Sequence, residues 1–218
     1  MRDIWKIWES FQILLFSATF NDNVKMFISK MIPNANQVFV KEEDLSLDAI
    51  KQYCVKCPSE LAKIKVLKDT VFPLAEKLGQ TIIFVRTRES ASKLHSMLEA
   101  EGYRCTSMQG HLKLEDRDRI IGEFRSGITR IFAWGFDQAH VTFVVNFELP
   151  VRVYSIDELD YEVYLHRIGR SGHFGCKGAA SNFLVTTQDE ENMTKIERHF
   201  QRYATEICWD NEGDFENA

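Results

Sequence analysis

The residue types best suited to chemistry in this chain lie together in the stretch 164–178, YLHRIGRSGHFGCKG. Glycine recurs there at every third position from 169 to 178, among the basic side chains of Arg167, Arg170, His173 and Lys177. Glycine lets the backbone come close to a ligand, and arginine offers a planar fork of donors to phosphate oxygens. The pattern indicates an anion-binding turn, most simply for phosphate, and leaves open a solvated basic loop that only ends a helix.

Composition limits the class of protein. The 218 residues, 44% of them hydrophobic, suit one domain of ordinary size with extensions. The net charge of −5 argues against nucleic-acid binding driven by overall charge, although a local basic groove is still possible. We expect no membrane segment and no signal peptide. The five scattered cysteines indicate a reducing compartment. Cys54 and Cys57 form a C-x-x-C without a second pair, which favours a strand over a metal site.

Strands and helices alternate along the chain, which predicts an α/β fold with a doubly wound, mostly parallel sheet and helices on both faces. The predicted strands are 11–16, 37–40, 50–57, 81–85, 103–108, 127–133, 141–147 and 179–186. The predicted helices are 22–31, 59–78, 88–100, 113–124, 160–169 and 189–203, with a loop at 151–159. Ligands meet such a sheet at the carboxyl ends of its strands. Arg86, Thr87 and Arg88 directly follow one strand, so they join the glycine-rich turn as site candidates, with an ordinary turn and helix cap as the alternative.

Several of these stretches resemble motifs of the DEAD-box RNA helicases. HRIGRSGHFGCKG is similar to the sixth motif of that family, LLFSATF to the third and IIFVRTR to the fourth. KEEDLSLDAIKQY, GFDQ and DYEVYLHRIGR look closest to the branch that acts in messenger-RNA export, its plant members in particular. The resemblance implies the RecA-like helicase C-terminal domain at 41–203. The end of the first RecA-like domain and a linker would precede it at 1–40, and an acidic tail would follow at 204–218.

The resemblance also implies roles for single residues. Coupling between the two domains would involve Ser17, Thr19, His166 and Arg167. ATP contacts would come from Gly135, Asp137 and Arg170. RNA contacts would come from Arg86, Thr87, Gly110 and Arg117. Arg170 and position 173 match the two arginine fingers of the family, and position 173 is His173 here. A surface ion pair for Arg117 and an Asx-type turn for Asp137 remain the alternatives.

The chain departs from the family pattern in ways that bear on activity. It contains no G-x-x-x-x-G-K-S/T loop and no Asp-Glu-Ala-Asp, and about six residues of the fifth motif are missing between Ala133 and Trp134. ATP with magnesium is the cofactor that the resemblance implies, but we expect no ATPase activity from this chain alone. Two other interpretations stay open, a non-catalytic module that binds RNA or a protein partner, and a truncated or mis-predicted gene product.

The resemblance further implies partners and a location. RNA is the expected partner, joined in this branch by export regulators at the nuclear pore and by inositol hexakisphosphate. The expected location is cytoplasmic and nuclear, including the nuclear envelope.

Overall fold

A computed structural model describes residues 13–16, 22–32, 34–39, 50–73, 79–103, 105–107, 113–127, 129, 131–133, 141–152, 155–171 and 178–210. The chain divides into two compact units, 1–41 and 42–218. No described helix is long and apolar enough to cross a membrane.

The first unit contains helix α1, Asp22–Met31, which confirms the predicted helix. The strands predicted at 11–16 and 37–40 are wrong over their described residues, which carry no strand. Leu14, Phe16 and Val38 are exposed in these segments rather than buried. A strand is stabilised by a neighbour that completes its hydrogen-bond ladder, and the described part of this unit contains no strand to serve as that neighbour.

The second unit is built on a parallel sheet. Its strands are β1 Ile50–Lys56, β2 Gln80–Phe84, β3 Cys105–Ser107, β4 Ile131–Ala133, β5 Val141–Asn146, β6 Val151–Arg152, β7 Ser155–Leu159, β8 Gly178–Leu184 and β9 Thr205–Cys208. Seven of them pair in the order β3-β4-β2-β5-β8-β1-β9, and every pairing among these seven is parallel. This order confirms the predicted doubly wound α/β fold.

Helices cover both faces of the sheet. They are α2 Glu60–Val66, continued by π-helical turns over Leu67–Val71, α3 Arg88–Ala100, α4 Leu114–Arg125, α5 Tyr161–Ile168 and α6 Thr187–Phe200. Residues of α2 and α3 pack with Ile83, Phe143 and Val145 on one face. Residues of α4, α5 and α6 pack with Ile82 and Val144 on the other. Burial on both faces explains why β2 and β5 are continuous apolar runs rather than alternating ones.

Four of the helices begin directly after a residue whose side chain caps them. Side-chain oxygens of Ser59, Thr87, Asp160 and Thr186 accept a hydrogen bond from a backbone N–H two or three residues into the following helix. Such caps satisfy donors that have no partner inside the helix. At α6 the cap is reciprocal, because the Asp189 carboxylate also accepts the backbone N–H of Thr186.

Three predictions for this unit are corrected. The loop predicted at 151–159 contains the antiparallel hairpin β6–β7, with an Arg152–Glu158 ion pair of 3.0 Å across it. The tail predicted at 204–218 contains β9, which pairs with β1 at the edge of the sheet. In the helix predicted at 59–78, the spacing of residue types puts Leu61 among the apolar positions and Lys63 among the polar ones. Leu61 is 73% exposed and Lys63 only 3%, because the Lys63 ammonium reaches a backbone carbonyl beneath the helix.

Candidate functional site

Arg167 is the most deeply placed of the predicted site residues that the structure describes. It lies on α5 and is 8% exposed. Its Nη1 donates to the backbone oxygen of Glu148 at 2.8 Å and to Oδ1 of Asn146 at 3.2 Å, and its Nη2 donates to the oxygen of Val85 at 3.5 Å. The guanidinium carbon stands 5.0 Å from the ring centre of Phe84. Arg167 therefore joins α5 to the carboxyl ends of β2 and β5.

The pKa of Arg167 is lowered to about 10, mainly by burial; the Glu148 charge opposes this shift and the nearby Arg86 charge adds to it. Arg167 is still a cation at neutral pH. A buried cation of this kind is stable only when its donors are satisfied, and the three acceptors around it meet that requirement.

A row of buried amides continues from Arg167 across the sheet. Asn146 Nδ2 donates to Asn182 Oδ1 at 2.9 Å, and Asn182 Nδ2 donates to the backbone oxygen of Tyr53 at 3.1 Å. Both amides are fully buried. This row links β5, β8 and β1, so a displacement of Arg167 would leave buried polar groups without partners.

Glu148 fixes the turn that follows β2. One carboxylate oxygen accepts the backbone N–H of Arg86 in a short hydrogen bond, and the other accepts the hydroxyl of Ser90 at 3.3 Å. Between these two points Thr87 caps α3 by accepting the Ser90 N–H at 3.0 Å. The side chains of Arg86 and Thr87 are exposed at this turn, where they can meet a ligand at the carboxyl edge of the sheet.

Lys63 of α2 contacts the same segment. Its Nζ donates to the backbone oxygen of Phe147 at 2.8 Å, pairs with Glu60 at 3.0 Å and lies 4.9 Å from the Phe147 ring centre. Residues 146–148 together with Arg167 are called the β5 junction below. Side chains from α2, α3 and α5 converge on this junction.

The glycine-rich turn begins directly after α5. The backbone N–H of Arg170 donates to the oxygen of Arg167 at 3.2 Å, and the Ser171 hydroxyl donates to the oxygen of Ile168 at 2.9 Å. Gly178 opens β8 so close to Ser171 that any Cβ there would overlap the Ser171 carbonyl. This close approach is to the chain's own backbone, and the approach of the glycine-rich turn to a ligand stays a prediction.

The other predicted site residues fall into two groups. Arg117 lies half-buried in the first turn of α4, and His166 lies half-buried on α5 beside Arg167. The remaining positions lie outside the described residues, namely Ser17, Thr19, Gly110, Gly135, Asp137 and His173. The roles assigned to all of these residues stay predictions.

A second group of reactive residue types lines a cavity of about 600 Å³ beside edge strand β3. Cys105 Sγ lies 3.4 Å from His95 Nδ1, and His95 Nε2 lies 3.3 Å from Glu99. The order thiol, imidazole, carboxylate is that of a nucleophilic triad. Burial, together with the Glu99 charge, raises the pKa of Cys105 to about 11, so the thiol is protonated and poorly nucleophilic at neutral pH.

Sequence reasoning missed Glu148 and Lys63. Glu148 follows β5 just as Arg86 follows β2, so the rule that selected Arg86 could also have selected Glu148. Nothing in the local pattern distinguishes Lys63 from the exposed Lys65 of the same helix, because the burial of Lys63 depends on a carbonyl 84 positions away.

Comparison with known proteins identifies a family model and relatives that match this chain. The helicase conserved C-terminal domain matches residues 62–175. DEAD-box ATP-dependent RNA helicase 38 of Oryza sativa subsp. japonica is 48% identical over 225 residues, which cover 100% of this chain and 45% of the rice protein. The chain therefore spans less than half the length of this relative. The match is longer than the 218 residues here, so the rice protein has residues without a counterpart in this chain.

Solved structures of S. cerevisiae Dbp5 are also similar to this chain. S. cerevisiae Dbp5 bound to RNA and ADP BeF3 has a TM-score of 0.87 and 33% identity, over 99% of this chain and 56% of that one. A variant of S. cerevisiae Dbp5 bound to Nup159, a Gle1 variant, IP6 and ADP has a TM-score of 0.75 and 33% identity, over 93% of this chain and 52% of that one.

Proposed function

Because this chain belongs to the helicase conserved C-terminal domain family and its relatives are DEAD-box RNA helicases, we propose that it serves as the second RecA-like domain of an ATP-dependent RNA helicase. The β5 junction supports the proposal most strongly. It holds the turn that carries Arg86 and Thr87 and the helix that leads to Arg170 at one edge of the sheet. Residues 1–40 then belong to the end of the first RecA-like domain and the linker.

We assign RNA contacts to the turn at Arg86 and Thr87 and to the start of α4 at Arg117. Arg86 and Thr87 are exposed at the start of α3, and Arg117 lies half-buried in the first turn of α4. Basic donors at a helix start suit phosphate oxygens, because the backbone N–H groups and the helix dipole add to the positive charge of the side chains. The family resemblance adds Gly110 to these proposed RNA contacts. A local basic edge reconciles RNA binding with the overall net charge of −5.

We assign ATP contacts to Arg170, with Gly135 and Asp137 as further contacts by resemblance. An arginine that faces a transferring phosphoryl group contributes about 10³–10⁵ in rate. Histidine at position 173 lacks the bidentate fork of an arginine. The chain of 218 residues is therefore proposed to bind RNA without turning over ATP by itself, with the phosphate loop and the magnesium-holding acidic motif to be supplied by a first RecA-like domain.

RNA titration tests the RNA contacts. Single-stranded RNA is added to the purified chain at two salt concentrations. We expect affinity to fall with salt, with a log–log slope of about −0.7 for each phosphate neutralised. Arg86→Ala and Arg117→Ala should each weaken binding. Arg198→Ala is the matched control, since it removes the same charge from the exposed late turns of α6. Equal effects of all three variants would contradict the assignment.

ATP hydrolysis tests the other half of the proposal. We expect no RNA-stimulated phosphate release from the chain alone. Turnover that disappears in Arg170→Ala would show that the chain assembles a complete ATPase, and the proposal of a non-catalytic isolated domain would then fail.

The place of this domain in messenger-RNA export is also a proposal. It is supported by the similarity to Dbp5 solved with Nup159, a Gle1 variant and IP6. We infer that the whole protein works with export regulators at the nuclear pore. Calorimetry of this chain with Gle1 and inositol hexakisphosphate should show saturable binding, and no heat at micromolar concentrations would count against this context.

A further inference from the structure

We propose that Glu148 is a positioning residue that fixes the Arg86–Thr87 turn and ties it to the helix that leads to Arg170. The inference deepens the proposed function, because it rests on the RNA-facing role of that turn. Glu148 then connects the RNA-facing turn at Arg86 and Thr87 to the ATP-facing turn at Arg170.

The carboxylate of Glu148 holds the turn on both sides of Thr87. Oε2 accepts the N–H of Arg86, and Oε1 accepts the Ser90 hydroxyl. The Ser90 hydroxyl also lies 2.9 Å from the Thr87 hydroxyl. The first turn of α3 therefore cannot rotate without breaking a hydrogen bond to an ionised group, which is stronger than a bond between neutral groups.

The main chain of Glu148 continues the link in two directions. Its N–H donates to the oxygen of Phe84 at 3.3 Å, which ties it to the end of β2. Its oxygen accepts Arg167 Nη1 at 2.8 Å, and the oxygen of Arg167 accepts the N–H of Arg170 at 3.2 Å. The side chain of Glu148 thus holds the N–H of Arg86, its main-chain oxygen holds the guanidinium of Arg167, and the main-chain oxygen of Arg167 holds the N–H of Arg170.

Positioning and simple charge predict opposite effects on RNA binding. Glu148 is half-buried beside the exposed Arg86. If it acted only through its negative charge, its removal would strengthen the binding of a polyanion. If it positions the turn, its removal weakens binding although one unfavourable charge is lost.

Three variants separate the two cases in the RNA titration. Glu148→Ala should bind single-stranded RNA about tenfold more weakly, since it loses hydrogen bonds to a charged acceptor. Glu148→Gln keeps one carbonyl oxygen for the Arg86 N–H, so it should recover most of the affinity. Glu158→Ala is the matched control, because Glu158 is exposed and pairs with Arg152 across the hairpin. Equal or tighter binding by Glu148→Ala, with Gln and Ala alike, would overturn the proposal.

A second readout does not depend on RNA. Amide hydrogen exchange at Arg86 and Arg170 is measured in the same variants. We expect exchange at the Arg86 amide to be about tenfold or more faster in Glu148→Ala, close to normal in Glu148→Gln and unchanged in Glu158→Ala. The Arg170 amide serves as the internal control and should exchange equally in all three variants, because it donates to the main-chain oxygen of Arg167, which these substitutions keep. Unchanged exchange at Arg86 in Glu148→Ala would overturn the proposal. Failure of the unsubstituted chain to bind RNA would instead count against the proposed function, while the exchange data still test the role of Glu148.

Discussion

The β5 junction and the edge cavity beside β3 both bring together titratable side chains, yet they suit different tasks. At the junction a buried cation meets three acceptors, and an exposed arginine stands beside it at the carboxyl edge of the sheet. In the edge cavity a thiol, an imidazole and a carboxylate line up, but burial raises the pKa of the thiol to about 11. Judged by geometry alone, both regions would be candidate functional sites. The protonated state of the Cys105 thiol argues against the edge cavity, and the position of the junction at the carboxyl edge of the parallel sheet favours the junction.

The largest expected effect comes from the close backbone contact next to the junction. Gly178→Ala places a Cβ against the Ser171 carbonyl, so β8 or the glycine-rich turn must shift. We expect a loss of about 4 kcal/mol in the free energy of unfolding. Gly122→Ala is the control, because a Cβ on this exposed glycine of α4 meets nothing within 4 Å. It should stabilise the chain by up to about 1 kcal/mol. Urea unfolding compares the two, and equal destabilisation would contradict the reason given.

The next effect tests whether Arg167 holds the junction together. Arg167→Met keeps most of the side-chain volume and removes its donors, which leaves the acceptors on Asn146, Glu148 and Val85 unsatisfied. We expect a loss of about 3 kcal/mol in the free energy of unfolding. Arg152→Met, on the exposed hairpin, should cost less than about 1 kcal/mol. A similar small loss for both variants would show that the buried donors contribute little.

The buried thiol in the edge cavity should make the free energy of unfolding depend on pH. The pKa of Cys105 is raised from 9.0 to about 11 in the folded chain, so the folded state binds the proton more tightly than the unfolded state. The corresponding stability is fully present below pH 9 and is lost as the pH rises towards 11, at up to about 1.4 kcal/mol per pH unit for one thiol. Cys105→Ala should flatten this part of the curve, whereas Cys208→Ala, at an exposed cysteine, should leave it unchanged. Identical curves for the two variants would contradict the raised pKa.

The smallest effect concerns the charges at the rim of the edge cavity. Arg119 pairs with Asp116 and Glu123 on the surface of α4, with 62% of its side chain exposed. Exposed pairs of this kind contribute little, so Arg119→Ala should change the free energy of unfolding by no more than about 0.5 kcal/mol. RNA affinity should also stay unchanged if the edge cavity takes no part in binding. A clear loss of affinity would place the cavity in the RNA path.

The sequence was sufficient to predict the central elements of the second unit, and the reason is physical. Runs such as TIIF in β2 and VTFVV in β5 are apolar on both faces, which only a sheet covered on both sides tolerates. Helix starts were readable at Ser59 and Thr87, which cap through their own side chains. The cap at Thr186 was instead assigned to the end of strand 179–186, so the last helix was predicted to begin two residues late, at 189 rather than 187. β9 and the hairpin were missed because they are short and partly exposed, so pairing with a neighbour rather than local pattern decides their conformation.

The site was predictable only in part. Arg86, Thr87 and Arg170 were predicted as site residues because they lie in or beside recognisable motifs, and their roles stay predictions. Glu148 and Lys63 were not, since each acts through a contact with a residue far away in sequence, Arg86 for the first and Phe147 for the second. The burial of Arg167 could not be predicted from the sequence either, because an arginine in the last turn of a helix is usually exposed to solvent.

The most direct test of the account is an amide hydrogen-exchange footprint of the whole chain with and without single-stranded RNA. The account predicts protection at 86–90 and at the start of α4, with no change at 95–107 around the edge cavity. Protection confined to 95–107, with the turn at 86–90 unaffected, would contradict the claim that the β5 junction positions the RNA-binding edge.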